Sequence, residues 1–115
     1  MIISNRTNLA AGASNDNIFA GSYIEFMPND GILQFGFTDD QPVATSDNVQ
    51  LDVLCGTELI ASSFNPRGPN GGPPIYPDDF ILSCPAPAGE RIIGKARNKD
   101  AAARNIWWSV MLDLV

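Results

Sequence analysis

The chain has 115 residues, room for one domain with one hydrophobic core. It lacks histidine, which excludes Ser-His-Asp and Cys-His catalysis and the common His-containing zinc sites. Its net charge of −6 disfavours free nucleic acid, whose binding needs Lys and Arg to neutralise phosphates. Only 17% of residues are charged, so Asn, Ser, Thr, Gly, Pro and apolar side chains must cover much of the surface. That composition suits a protein covered by neighbours in its working state.

Residues 1–16, rich in Asn, Ala, Gly and Ser, read as an N-terminal arm, and residues 17–115 as a single β domain. No apolar signal segment is visible, and no run approaches the ~18 apolar residues of a membrane helix. Alternation over 18–27 predicts a first strand, with Ile18, Ile24 and Phe26 on one face and Phe19, Tyr23 and Glu25 on the other. The turn Pro28-Asn29-Asp30-Gly31 would join it as a hairpin to a strand over 32–38, with Leu33, Phe35 and Phe37 inward. A polar loop around Pro42 follows. Val49, Leu51, Val53 and Cys55 then alternate with Asn48, Gln50 and Asp52, and Gly56-Thr57 turns into a strand over 58–62.

Residues 64–78 form a long loop too rich in Pro and Gly for strand or helix. Short strands are expected over 80–84 and 91–98, then a helical turn or open loop over 99–103. The last strand covers 105–115, with Ile106, Trp108, Val110, Leu112 and Leu114 inward and Trp107, Ser109, Met111 and Asp113 outward. A strand at this position is held by non-local pairing and should be central to the fold. Seven or eight strands in this length make an all-β, antiparallel, jelly-roll-like β-sandwich. Cys55 and Cys84 read as small buried hydrophobes, not as a disulfide framework.

No catalytic residue, metal site or cofactor is predicted. Asn70-Gly71-Gly72 runs into Pro73-Pro74, so it opens no phosphate loop. Asp39, Asp40, Asp47, Asn48, Asp78 and Asp79 match no calcium-loop spacing and read as turn and cap residues. The candidate interface residues are Trp107 and Met111, facing outward, the basic strand Arg91, Lys95 and Arg97, and Tyr23 and Tyr76. Residues 89–105 carry +3 and the rest −9, a split that permits head-to-tail pairing of copies. The arm and the Pro/Gly loop are candidates to reach over a neighbour.

The run Pro-Ala-Pro-Ala-Gly-Glu-Arg-Ile-Ile-Gly-Lys-Ala-Arg-Asn at 85–98, a short Ala-rich insert, and Asn-Ile-Trp-Trp-Ser-Val-Met-Leu-Asp-Leu-Val at 105–115 resemble the closing strands of small jelly-roll-like phage virion proteins. Residues 47–56 with Leu59 and Ile60 are similar to the central hairpin of the same domains. The resemblance spans the chain from residue 18 onward. It implies a non-enzymatic capsid decoration (cement) or minor capsid protein, assembled into the virion in the host cytoplasm. The implied partners are the major capsid protein and copies of itself, in a trimer or pentamer, without direct nucleic-acid or membrane contact. No catalytic residue carries over. Two rival readings are a carbohydrate-binding or adhesion module, which needs a row of exposed aromatic rings, and a small carboxylate hydrolase, which needs a cleft with two acids about 5–10 Å apart.

Overall fold

The computed structural model describes residues 1–40, 48–66, 68, 72–76 and 78–114. Pro42 and Asp47 of the expected polar loop, Arg67, Pro69, Asn70, Gly71 and Pro77 of the Pro/Gly loop, and Val115 lie outside the described residues. The strands in chain order are β1 (Ile2–Leu9), β2 (Ser14–Asn15), β3 (Gly31–Asp39), β4 (Val49–Cys55), β5 (Glu58–Phe64), β6 (Phe80–Ala86), β7 (Ile92–Asn98) and β8 (Arg104–Leu114). They form two antiparallel four-stranded sheets, β1-β8-β3-β6 and β2-β7-β4-β5.

Each strand pairs with its mirror image about the Gly56-Thr57 turn: β4 with β5, β3 with β6, β2 with β7 and β1 with β8. The chain is thus one long hairpin rolled up on itself, and rolling adds the β3–β8 and β4–β7 pairings. This is jelly-roll topology. The alternating apolar residues of β3, β4 and β8 face one another between the sheets: Leu33, Phe35, Phe37, Val49, Leu51, Val53, Ile106, Trp108, Val110 and Leu112 are all buried. Each such side chain contributes about 1.5–3 kcal/mol on burial. Leu114 departs from the expected inward face: it is 40% exposed, where β8 runs out past the core.

Three expectations need correction. The 1–16 segment is not a free arm: β1 pairs with β8 in unbroken register from Ile2↔Met111 to Leu9↔Arg104, and β2 pairs with β7. It looked like an arm because a strand at the rim of a sandwich buries little. Second, residues 18–27 are not a strand. They turn repeatedly, through Ala20 N to Asn17 O (3.2 Å), Ser22 N to Phe19 O (3.0 Å) and Glu25 N to Ser22 O (3.2 Å). Ile18 and Phe19 are adjacent and both buried. Phe19 enters the core edge-on to Trp108, with ring centroids 4.8 Å apart. Third, Cys55 and Cys84 are buried as expected but are joined as a disulfide linking β4 to β6 across the two sheets. Closing 29 residues of sequence stabilises the fold by about 3–4 kcal/mol in the chain-entropy account. Residues 99–103 form an open loop of bends, not a helical turn.

The turning segment still has to satisfy the free side of β7, and Asn17 does so with its side chain. Its Nδ2 donates to Ile92 O (3.2 Å), and its Oδ1 accepts from Gly94 N (3.0 Å) and Phe19 N (3.0 Å). A side-chain amide thus replaces a missing strand residue. Gly94 is required beside it, because a Cβ there would lie 2.8 Å from the Phe19 ring. Asn17→Ala leaves a buried carbonyl and two N–H groups without these partners. The expected loss is about 2–3 kcal/mol in urea denaturation, with the fold retained by circular dichroism.

Candidate functional site

The register of the first sheet sets which residues point away from the core. Across β1, β8 and β3 these are Ile2–Met111–Gln34, Ser4–Ser109–Gly36 and Arg6–Trp107–Thr38. An outer face of a sandwich is normally wet, yet Gly36, Thr38 and Ser109 are buried here. The Pro/Gly loop covers them. Thr38 Oγ1 donates to Gly72 O (2.7 Å), and Pro74 is buried against the sheet. Gly36 is the seat: a Cβ there would lie 2.8 Å from Pro74 Cβ and 2.9 Å from the Phe80 ring. Asp79 ties the loop closed, accepting from Ile75 N (2.8 Å) through its carboxylate and donating its own N–H to Ile75 O (2.9 Å). The described part of the loop therefore packs on its own sheet.

The cover ends near the start of β3. Beyond it Ile2 and Ile32 are exposed with half-buried Met111 between β1 and β3; Ile75 and Tyr76 of the loop are exposed as well, and Ile81 is exposed on β6 beside the Phe80 that seats the loop. Ile32, Gln34, Tyr76, Met111 and Asp113 line a hollow of about 220 Å³. A wider, shallower depression joins Ile32 to Pro85 and Pro87, with Asp30 on its rim. Tyr76 stands edge-on to Phe80, 5.1 Å between centroids. Trp107 is half-buried on the same face, in register with Arg6 and Thr38. The patch is apolar with exposed acids, Asp30 and Asp113, at its border.

The basic residues lie elsewhere. Lys95 and Arg97 point outward from the second sheet, on the opposite side of the molecule. Arg97 is already engaged, bonding Asp52 (3.0 Å) and Ser63 Oγ (3.0 Å), while exposed Lys95 sits in register with Asp52. Arg91 pairs with Glu25 at 3.1 Å. The +3 segment is thus largely answered by acids of its own chain. Of the sequence-predicted residues, Met111 and Tyr76 line one hollow on the first sheet, and Trp107 lies on the same face further along β8. Lys95 and Arg97 are on the second, and Arg91 and Tyr23 belong to the segments beside its β7 rim. The sequence reading missed Ile2, Ile32, Ile75 and Ile81. Ile32 was legible, since it alternates with inward Leu33. The others depend on where the loop and β1 lie.

Among the described residues, no three of His, Cys, Asp and Glu gather to hold a metal ion. No family model matches the sequence, and no curated protein matches it.

Gly36→Ala should lift the loop from its seat. It is expected to cost about 1–3 kcal/mol and to open residues 64–79 to limited proteolysis while the strands persist. A second expectation concerns acid. The hydrogen bond from Arg97, then that from Ser63 N, hold the Asp52 carboxyl below the usual range. The Gly21 N–H and then Arg91 do the same for Glu25. Groups with depressed folded pKa contribute stability above their unfolded values, near pH 4, and lose it as pH falls through the folded values. The urea midpoint should therefore hold from pH 7 to about 5 and fall below about pH 4, less steeply in Asp52→Asn.

Proposed function

We propose that the protein is a non-enzymatic structural subunit of a virus particle, a capsid decoration (cement) or minor capsid protein that binds its neighbours through the apolar patch of the first sheet. The observation that carries this reading is the patch itself. Ile32 and Tyr76 line a hollow with Met111, and Ile2, opposite Met111, stands exposed beside it, in a chain with few charges to spare. Exposed apolar surface of this kind marks contact sites. The jelly-roll strand order supports the resemblance of the closing strands to phage virion proteins, while the fold itself serves many functions. The neighbours are the major capsid protein and copies of the chain. Acids at the border of the patch favour a surface with basic groups.

A carbohydrate-binding surface finds less support. Tyr76 lies over the first sheet and Tyr23 beside the second, and Trp107 is half-buried, so these three rings make no exposed row.

The test is co-sedimentation with particles formed by the major capsid protein encoded alongside the chain. Wild-type protein is expected to sediment with them, and Ile32→Asp with Tyr76→Asp, both at exposed positions lining the hollow, to weaken binding at least about tenfold. Wild-type protein that stays in the supernatant, or a variant that binds equally well, overturns the reading.

A further inference from the structure

We propose that β1 is a self-pairing edge: two copies join antiparallel through β1 about a two-fold axis at Asn5, merging their first sheets into one continuous eight-stranded sheet.

Four strands end the two sheets, and three of them are blunted in ways that discourage a further strand. β6 contains Pro85 and slips register against β3 between Phe35 and Gly36. β5 slips twice against β4, and its Ser63 has φ 53°. β2 is two residues long and passes into the turns of residues 17–27. β1 alone is regular. Its eight residues pair with β8 without a shift and include no proline or glycine. Unblunted edges are uncommon in proteins that work alone, because their free N–H and C=O groups recruit another strand.

The phase of the ladder shows which groups are free. Met1 and Leu112 exchange both hydrogen bonds, at 3.2 and 2.8 Å. Alternation then turns the backbone groups of Ile3, Asn5, Thr7 and Leu9 toward β8, and those of Ile2, Ser4, Arg6 and Asn8 away from it. Among the described residues, the only one of these outward N–H groups with a partner is that of Arg6, which donates to Asn5 Oδ1 (2.7 Å).

A two-fold axis at Asn5 fits this phase. Ser4 falls opposite Arg6 of the second copy and Ile2 opposite Asn8, so outward groups meet outward groups as hydrogen-bonded pairs. Asn5 faces Asn5 of the second copy in a close, non-hydrogen-bonded pair, where the two amides bond each other and release the Arg6 N–H to the Ser4 carbonyl. Arg6 is the one charged side chain of β1, and it faces Ser4, so no like charges oppose. The pairing uses the edge of the first sheet and not its apolar patch, so it stands or falls separately from the virion reading.

The test is the native mass by light scattering at roughly 1 mM chain, where even a weak micromolar pair is populated. The wild-type mass should be an even multiple of 12.3 kDa. Arg6→Pro removes only an N–H that points away from β8, a position proline tolerates on an edge, and should halve the mass. A monomer, an odd-numbered assembly or an unchanged mass in a folded Arg6→Pro variant overturns the proposal. Should that variant unfold, single cysteines decide. Asn5→Cys should form an intermolecular disulfide under mild oxidation, Thr7→Cys alone should not, and a mixture of Ile3→Cys with Thr7→Cys should. Absence of the Asn5→Cys cross-link overturns the two-fold at Asn5. Loss of capsid binding with the mass intact would instead sink the virion reading alone.

Discussion

β8 hydrogen-bonds to β1 on one side and to β3 on the other, so the first sheet cannot form until the two ends of the chain have met. Ile2 lies opposite Met111, and Gly31 opposite Leu114. The inward side of β8 supplies Ile106, Trp108, Val110 and Leu112, and Trp108 is the largest of the fully buried side chains. Its ring contact with Phe19 couples β8 to a segment that is not a strand at all. Pairings this distant in sequence must meet the cost of loop closure before they stabilise anything, which places the fold among slowly forming topologies.

Two buried asparagines hold the corners where regular pairing stops. Asn17 stands in for a strand residue beside β7. Asn98, at the end of β7, donates to Leu9 O (3.1 Å) and Ala102 O (2.9 Å) and accepts from Asp100 N (2.9 Å). It thereby binds the end of β1 to the turn before β8. A side-chain amide has both a donor and an acceptor in one plane, as a peptide group has, so it can close a ladder where the backbone has turned away. These two residues let the chain change direction while Ile92 O, Gly94 N and Leu9 O keep hydrogen-bond partners.

The outer face of the first sheet has a covered part and an open part, and one loop makes the division. Proline restricts the unfolded chain, so a Pro-rich segment loses less entropy when it is laid on a sheet without ladder hydrogen bonds. Gly36 gives it room, Thr38 and Asp79 hold it, and where it ends the isoleucines Ile2 of β1 and Ile32 of β3 stand exposed. The second sheet presents a different surface, on which Asp52 pairs with Arg97 and Lys95 lies in register with the same carboxylate. The two sides of the sandwich therefore offer different chemistry, one apolar with acids at its border and one carrying Lys95, Arg97 and Asp52 beside the apolar row Ile93–Leu54–Leu59.

The strands β3, β4 and β8 were legible residue by residue, because burial of one face writes a two-residue period directly into the chain. So were the turn at Gly56, the outward placement of Trp107 and Met111, and the antiparallel sandwich. β1 was not, since an edge strand at the rim is nearly as polar as a loop. Residues 18–27 misled because their alternation is real, while the Asn17 amide that makes a strand unnecessary acts on Ile92 and Gly94, far along the chain. The same holds for Cys55 meeting Cys84, for the acids that answer Arg91 and Arg97, and for the loop that buries Gly36. Local pattern reports which way a side chain faces within its own element. It carries no record of which distant element will lie against it, and here that choice made both the apolar patch and the open edge.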